Sequence, residues 1–227
     1  MVSRFEHMPP RLAKLPIDER GYPVPYFVEW IDGKPDFRVM NAKHLVDAIK
    51  FSRCWICGEK LGRYKAFAIG PMCCINRIAP EPPSHYECAR FGVEACPFLT
   101  RPLARRNTRG MPEDAWVPGV MLERNPGVTC IWVTLDYRWF KDNGGVLFRI
   151  GEPERIEFFR EGRAATRAEV DHSIATGIHH LDDLAKTEGT KAIIQLENYK
   201  RRFREILDRI MPLPPKPKEA SDAARAS

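Results

Sequence analysis

No stretch of this 227-residue chain approaches the ~18 consecutive apolar residues that a membrane span requires. The opening residues "MVSRFEHMPPRLAKLPIDERG" contain no apolar h-region, which argues against a secretory signal. These two absences predict a cytoplasmic protein with no membrane partner. In a reducing cytosol its seven cysteines read as metal ligands or buried thiols, not as a disulfide framework. A complete catalytic signature is also missing. "DNGGVLF" is glycine-rich, but it lacks the lysine and following helix of a phosphate loop and reads as a turn. No internal repeat occurs.

What is present is ordinary in bulk, with 44% hydrophobic and 29% charged residues, as in a globular protein able to bury a core. The formal charge of +6 and pI near 9.0 suit a polyanion such as nucleic acid, although mildly basic proteins without such a partner are common. The placement of the charge therefore matters more than its total.

Residues 1–24 carry Pro9, Pro10, Pro16 and Pro23, with Pro25 just beyond, and read as an extended arm laid over the surface or left loose. In "PYFVEWIDGKPDFRVM" two strand-like segments flank Asp32-Gly33, the pair favoured in a tight hairpin turn. Pro35 predicts that the second strand is at an edge or starts late. "NAKHLVDAIKFSR" predicts a helix capped by Asn41, with Leu45, Val46 and Ile49 on one apolar face. His44, in its first turn, reads as a surface or packing residue. "VTCIWVTLDYRWF" predicts a strand, with "VLFRI" pairing back across "KDNGG". Thr166 and Glu169 have capping-box spacing at the start of a helix that Gly177 is expected to break or kink and Gly189 to end. A second helix from Thr190 carries a stripe of Ile193, Ile194, Leu196, Tyr199, Phe203, Ile206, Leu207 and Ile210. The two read as an antiparallel hairpin, followed by a disordered tail.

The cysteine-rich segment carries the most specific signal: Cys54-x2-Cys57-x27-His85-x2-Cys88. A structural zinc ion takes four N/S ligands in a tetrahedron, and two x2 pairs deliver two ligands from each of two short turns. Gly58 lets the first pair turn back on itself. Ser84 and Glu87, again at capping-box spacing, predict a helix starting at Ser84 and carrying His85 and Cys88 on one face. The helix N-terminus favours the thiolate of Cys88. "YKAFAIG" between the pairs reads as a strand. Knuckle, hairpin and ligand-bearing helix together resemble a treble-clef zinc finger over residues 53–96, about a fifth of the chain.

Other readings of these residues carry less. A redox Cys-x-x-Cys lacks its thioredoxin-like βαβ context. Cys73, Cys74 or Cys96 can replace a ligand or serve a second metal, although adjacent cysteines do not easily share one ion; Cys130 reads as core. Some treble clefs are HNH-type nucleases. That resemblance would use Asn76, but "RYKAFAIG" has no histidine to serve as base. His172, His179, His180, Asp171, Asp182 and Asp183 read as a polar helix face rather than a second metal set. Asp183 stands where a helix-turn-helix over residues 166–188 needs an apolar contact.

After the cysteine segment, "TRPLARRNTRG" presents Arg101, Arg105, Arg106 and Arg109 with no acidic residue among them, a pattern suited to phosphates or to a solvated loop. Lys200, Arg201, Arg202 and Arg204 instead sit among Glu197, Glu205 and Asp208 on a helix, where intrahelical pairing accounts for them.

The expected class is α+β: a central treble-clef zinc unit, a small antiparallel sheet and a C-terminal helical hairpin. The expected organisation is an arm at 1–24, a hairpin, helix and zinc unit with the arginine segment at 25–110, a β-rich segment at 111–165, a helical hairpin at 166–211 and a tail at 212–227. The expected role is zinc-stabilised nucleic-acid binding, accessory to nucleic-acid processing in a bacterial or phage setting, since the layout resembles such proteins without implying an activity. Structural Zn2+ would sit on Cys54, Cys57, His85 and Cys88, with the four arginines contacting phosphates. A protein-interaction adaptor and an enzyme of another type stand as alternatives.

Overall fold

The computed structural model of the chain describes residues 3–101, 104, 105, 107, 109, 111, 125, 127–142 and 145–213. Arg106 and residues 214–227 of the expected tail lie outside the described residues.

Strands β1 (Val28–Ile31) and β2 (Lys34–Met40) pair antiparallel across Asp32 and Gly33. Both turn residues have positive φ, 50° and 73°, as a primed turn demands. Pro35 lies opposite Trp30 in a two-stranded ribbon, so its missing N–H interrupts no central ladder. Helix α1 (Ala42–Phe51) begins where the Asn41 side chain accepts the His44 N–H at 3.0 Å. Leu45 and Ala48 turn inward, whereas Val46 is 60% exposed. One residue beyond Leu45, Val46 is rotated ~100° around the helix and leaves the face expected for it.

Next come β3 (Lys65–Ile69), α2 (Pro71–Asn76), β4 (Ile78–Ala79) and α3 (Tyr86–Ala95). Five strands follow: β5 (Thr129–Thr134), β6 (Tyr137–Asp142), β7 (Gly145–Ile150), β8 (Pro153–Arg160) and β9 (Arg163–Ala164). The predicted long strand "VTCIWVTLDYRWF" is thus two strands in different sheets. The break lies at Asp136, whose carbonyl accepts from the Thr134 hydroxyl and from the Gly151 N–H, both at 3.1 Å. A Cβ on Gly151 would stand 2.7 Å from that carbonyl oxygen, so the crossing requires glycine.

The sheets run β3-β5-β8-β9 and β4-β7-β6, and every pairing is antiparallel. The architecture is mixed α and β. All six residues of β5 are buried, and they alternate between two cores. Cys130 and Trp132 face Phe67, Cys74, Phe158 and the C-terminal helices, while Ile131 and Val133 face Ala66, Ala89 and Val93. The second set presses α3, the helix that carries Cys88, against the sheet.

Helices α4 (Arg167–Glu188) and α5 (Thr190–Ile210) are joined through Gly189 alone. They lie antiparallel, because Arg167 at the start of α4 donates to Asp208 and to the Met211 carbonyl at the end of α5, both at 2.6 Å. Gly177 does not break α4, which is continuous. The glycine instead makes room for Met72, whose side chain would lie 3.3 Å from a Cβ there. A continuous α4 leaves no helix-turn-helix. In α5, Leu196, Phe203 and Leu207 are buried; Ile193, Ile194 and Ile210 of the expected stripe are exposed. No described helix is long and apolar enough to cross a membrane.

The capping box of α4 forms in both directions: Thr166 accepts from the Glu169 N–H, and the Glu169 carboxylate accepts from the Thr166 N–H at 2.8 Å. The ion pair with Arg163 at 2.7 Å, then the Thr166 amide, lowers the Glu169 carboxyl from 4.5 to about 2. A depressed carboxyl stabilises the fold above its unfolded value and loses that effect as pH falls. Glu169→Gln is therefore expected to cost about 1 kcal/mol at neutral pH, the solvent-screened end of the capping range. In a pH series of denaturant unfolding, the difference between variant and parent should shrink as pH drops from 4.5 toward about 2.

Candidate metal centre

The first half of the site is a knuckle. Arg53 and Lys60 form a bridge, the Cys54 N–H donates to the Glu59 carbonyl at 2.7 Å, and the Gly58 N–H returns to the Cys54 carbonyl at 2.8 Å. Gly58 has φ +75°, and a Cβ there would lie 2.8 Å from the Tyr26 ring. Both constraints require glycine. The knuckle also turns backbone donors onto sulfur, since the N–H groups of Cys57 and His85 point at Cys54 Sγ from 3.4 and 3.3 Å.

The second half differs in detail from the capping expectation. Ser84 does not cap α3. Its N–H and carbonyl are both used in a bridge to Ala66, at 2.7 and 2.9 Å, so the chain is still extended there. His85 is the N-cap, with φ −66° and ψ 150°, and Cys88 is the third residue of the helix. The Ala66–Ser84 bridge ties the second ligand pair to β3, and the Trp55 N–H donation to the Pro83 carbonyl at 3.1 Å ties it to the knuckle.

These elements bring Cys54, Cys57, His85 and Cys88 together, with one ligand atom from each within 4.8 Å of all the others. All four residues are buried. His85 Nε2 faces the Lys60 carbonyl at 3.1 Å, while Nδ1 faces Cys57 Sγ at 3.4 Å and Cys88 Sγ at 4.0 Å. The carbonyl can only accept, so Nε2 carries a proton and Nδ1 is the ring nitrogen turned to the sulfurs, where a bound ion would take its lone pair. A tetrahedral ion with bonds of 2.3 Å to sulfur and about 2.0 Å to nitrogen separates S from N by about 3.6 Å and S from S by about 3.8 Å. The observed spacing fits such an ion.

Electrostatics point the same way. Burial opposes ionisation of Cys54, yet hydrogen bonds from Cys57, Cys88 and His85 carry its thiol below the ordinary value. That thiolate in turn raises its neighbours: Cys57 is pushed up to about 11, and Cys88 is raised by Cys54, then Cys57, then burial. It also raises His85 through a hydrogen bond that outweighs burial. Three thiolates gathered at one buried point repel one another, and a cation among them would relieve that repulsion. The group can hold a metal ion, and Cys3His is a donor set that zinc typically takes.

The N-terminal arm is not loose over its described residues. Asp18 accepts the backbone N–H groups of Arg20 and Tyr22 at 3.0 and 2.7 Å, which closes a turn. The arm then roofs the centre. Leu12, with no exposed surface, packs among Cys54, Cys57, Leu61 and Cys88. Arg11 pairs with Glu59 of the knuckle and with Glu87 of α3, and Lys14 also pairs with Glu59. One cation thus clamps the two ligand-bearing elements. Only the spacing of Leu12 and Leu15 between prolines hinted at this, and spacing alone does not say what a leucine covers.

The remaining cysteines stand apart. Cys74 and Cys130 face each other in the main core, burial and the Cys130 thiol keeping Cys74 well above its ordinary value. Burial also pushes Cys73 up to about 12 and raises Cys96. Burial of this kind disfavours the thiolate of Cys73, Cys74 and Cys96. Asn76 spends its amide oxygen on the Ile78 N–H at 3.0 Å. His172, His179 and His180 join no metal-holding group among the described residues.

Arg101, Arg105 and Arg109 are exposed. Asn125, 2% exposed, anchors this stretch through its side-chain amide, which donates to the carbonyls of Phe98, Leu99 and Arg101 at 2.7–3.1 Å. Asn125 carried no signal in the sequence, because only the returning chain gives it these acceptors. Comparisons with protein-family models, with curated proteins and with solved structures find no match to this chain.

Protein purified without chelator is expected to carry one equivalent of metal by elemental analysis. Cys88→Ala should carry none and should lose protection from hydrogen exchange across residues 54–95. Leu12→Ala keeps all four ligands but opens the roof. It should cost about 2–5 kcal/mol and speed transfer of the metal to a chromophoric chelator. Transfer at the parental rate would mean that the arm does not shield the ion.

Proposed function

We propose that this chain is a zinc-structured nucleic-acid-binding protein. Four protein ligands fill a tetrahedron and leave no position for water or substrate, which supports a structural ion over a catalytic one. The order of knuckle, β3, the Ser84 bridge and α3 supports a treble-clef reading. In that reading Ser84 is the second arm of the hairpin, and α2 with β4 is an insertion between the arms.

The observation that carries the binding role is the state of the arginines. Arg101, Arg105 and Arg109 are exposed, and none forms an ion pair with a described residue. Some other surface cations, such as Arg90, Arg163 and Lys200, are paired with carboxylates, and what sets Arg101, Arg105 and Arg109 apart is that they follow one another on the segment after α3. Unneutralised guanidinium groups close behind a metal-braced helix suit phosphates, which they bind bidentately with release of counterions.

Changing Arg101, Arg105, Arg106 and Arg109 to alanine should weaken duplex binding. It should also flatten the plot of log K against log salt by up to about 3.6, from roughly 0.9 per phosphate contact. A fluorescence-anisotropy titration at several salt concentrations measures both. An unchanged slope would remove these arginines from the interface.

An adaptor reading has one observation in its favour. Leu184, Ile193 and Ile194, near the Gly189 end of the helical hairpin, are 43%, 40% and 59% exposed. Failure to bind any nucleic acid at low salt would leave this as the better account.

A further inference from the structure

A second group of cations gathers beside the knuckle. Lys50, Phe51, Ser52, Arg53 and Lys60 line an open cavity of about 480 Å3 where the end of α1 meets the knuckle. The Phe51 ring is 49% exposed at its rim. Lys50 Nζ lies 5.2 Å and Arg53 Cζ 5.9 Å from the ring centroid. A second pair continues along the same chain: Tyr64 is 51% exposed, with Arg63 at 5.7 Å from its ring. None of Lys50, Arg53, Lys60 and Arg63 forms an ion pair with a described carboxylate, whereas Glu59 between them is spent on Arg11 and Lys14.

A cation at a helix C-terminus is ordinary, and the dipole alone accounts for Lys50. It does not account for Lys60, which comes from the knuckle, or for an exposed phenylalanine with two cations over its ring. The wall is also rigid. Arg53 and Lys60 bridge each other, Arg53 donates to the Gly58 carbonyl at 3.0 Å, and the Lys60 carbonyl holds His85. The metal-ligand shell and this cavity therefore share a backbone.

We propose that this cavity binds single-stranded nucleic acid, with a base stacked on Phe51 and the adjoining phosphates held by Lys50, Arg53 and Lys60. An exposed ring accepts any base face once the cations lying over it turn to the adjoining phosphates. A duplex keeps its base faces stacked and cannot use the ring. An acidic peptide would use the cations and ignore it. The proposal rests on the nucleic-acid reading but on none of the arginines at 101–109, so the two are separable.

The test uses the full metal-loaded protein with fluorescein-labelled oligo(dT) and a duplex of equal length, by anisotropy across a salt series. Phe51→Ala is expected to weaken oligo(dT) binding roughly 5- to 150-fold, the range of one lost base stack, with the salt slope and duplex binding unchanged. Lys50→Ala with Lys60→Ala should lower the single-strand slope by about 1.4, two contacts at ~0.7 each. Phe51 and both lysines are exposed, so retained metal and an unshifted unfolding midpoint are expected of all variants. Parental oligo(dT) affinity in Phe51→Ala would overturn the proposal. So would an equal loss for the duplex, or displacement of oligo(dT) by polyglutamate as readily as by unlabelled oligo(dT). If the arginine variant weakens binding while Phe51→Ala does not, the cavity assignment fails and the broader reading stands. If the parent protein binds neither polymer at low salt, both fail together.

Discussion

Three thiols and an imidazole converge on one buried point, and the charge they can carry there governs the middle of this protein. Against burial, hydrogen bonds from Cys57, Cys88 and His85, helped by the Cys57 N–H, lower Cys54 below its ordinary value, and Cys57 and Cys88 beside it are raised. A divalent cation relieves that mutual repulsion, so binding and local folding are linked. Around this point the chain spends its short-range contacts: a knuckle closed by Gly58, a helix begun at His85, and a Lys60 carbonyl that holds the imidazole in one tautomer.

The rest of the molecule braces this centre from two sides. Strand β5 is buried on both faces, and its Ile131 and Val133 seat the helix that supplies Cys88. The alternation that serves this helix also points Cys130 and Trp132 into the larger core under α4 and α5. From the other side the arm places Leu12 over the ligands and Arg11 between two carboxylates on separate elements. A metal unit of this size has little core of its own, and the arm and the sheet supply the apolar cover it lacks.

Cations on the surface divide by partner. Some lie beside a carboxylate, as Arg167 of α4 does with Asp208 of α5, a pair that staples the two helices together. The cations flanking the metal unit, on the segment after α3 and around Phe51, have none among the described residues. Under the proposed function, an ion bound at the cysteine site would rigidify the base of these surfaces and so lower the entropy lost on binding a flexible polyanion.

The four ligands, the Asp32-Gly33 turn, the Asn41 cap and the Thr166–Glu169 box were all legible in sequence. Each depends on residue types at fixed short spacing, and the chemistry acts within one or two turns of chain. Val46 leaves the expected face through helix geometry alone, one residue round from Leu45. Gly177 and Ser84 differ for another reason: local spacing suggested a break and a cap, and a neighbour from elsewhere in the chain decided otherwise. Ser84 spends its backbone on Ala66, and Gly177 accommodates Met72. The division of "VTCIWVTLDYRWF" into two sheets hangs on Gly151, 15 residues beyond the break at Asp136. By itself, then, the sequence determined the donor set and most helix ends and turns. Tertiary structure decided what roofs the donors, which sheet each strand joins and which cations remain unpaired, because those depend on contacts between segments that local spacing does not encode.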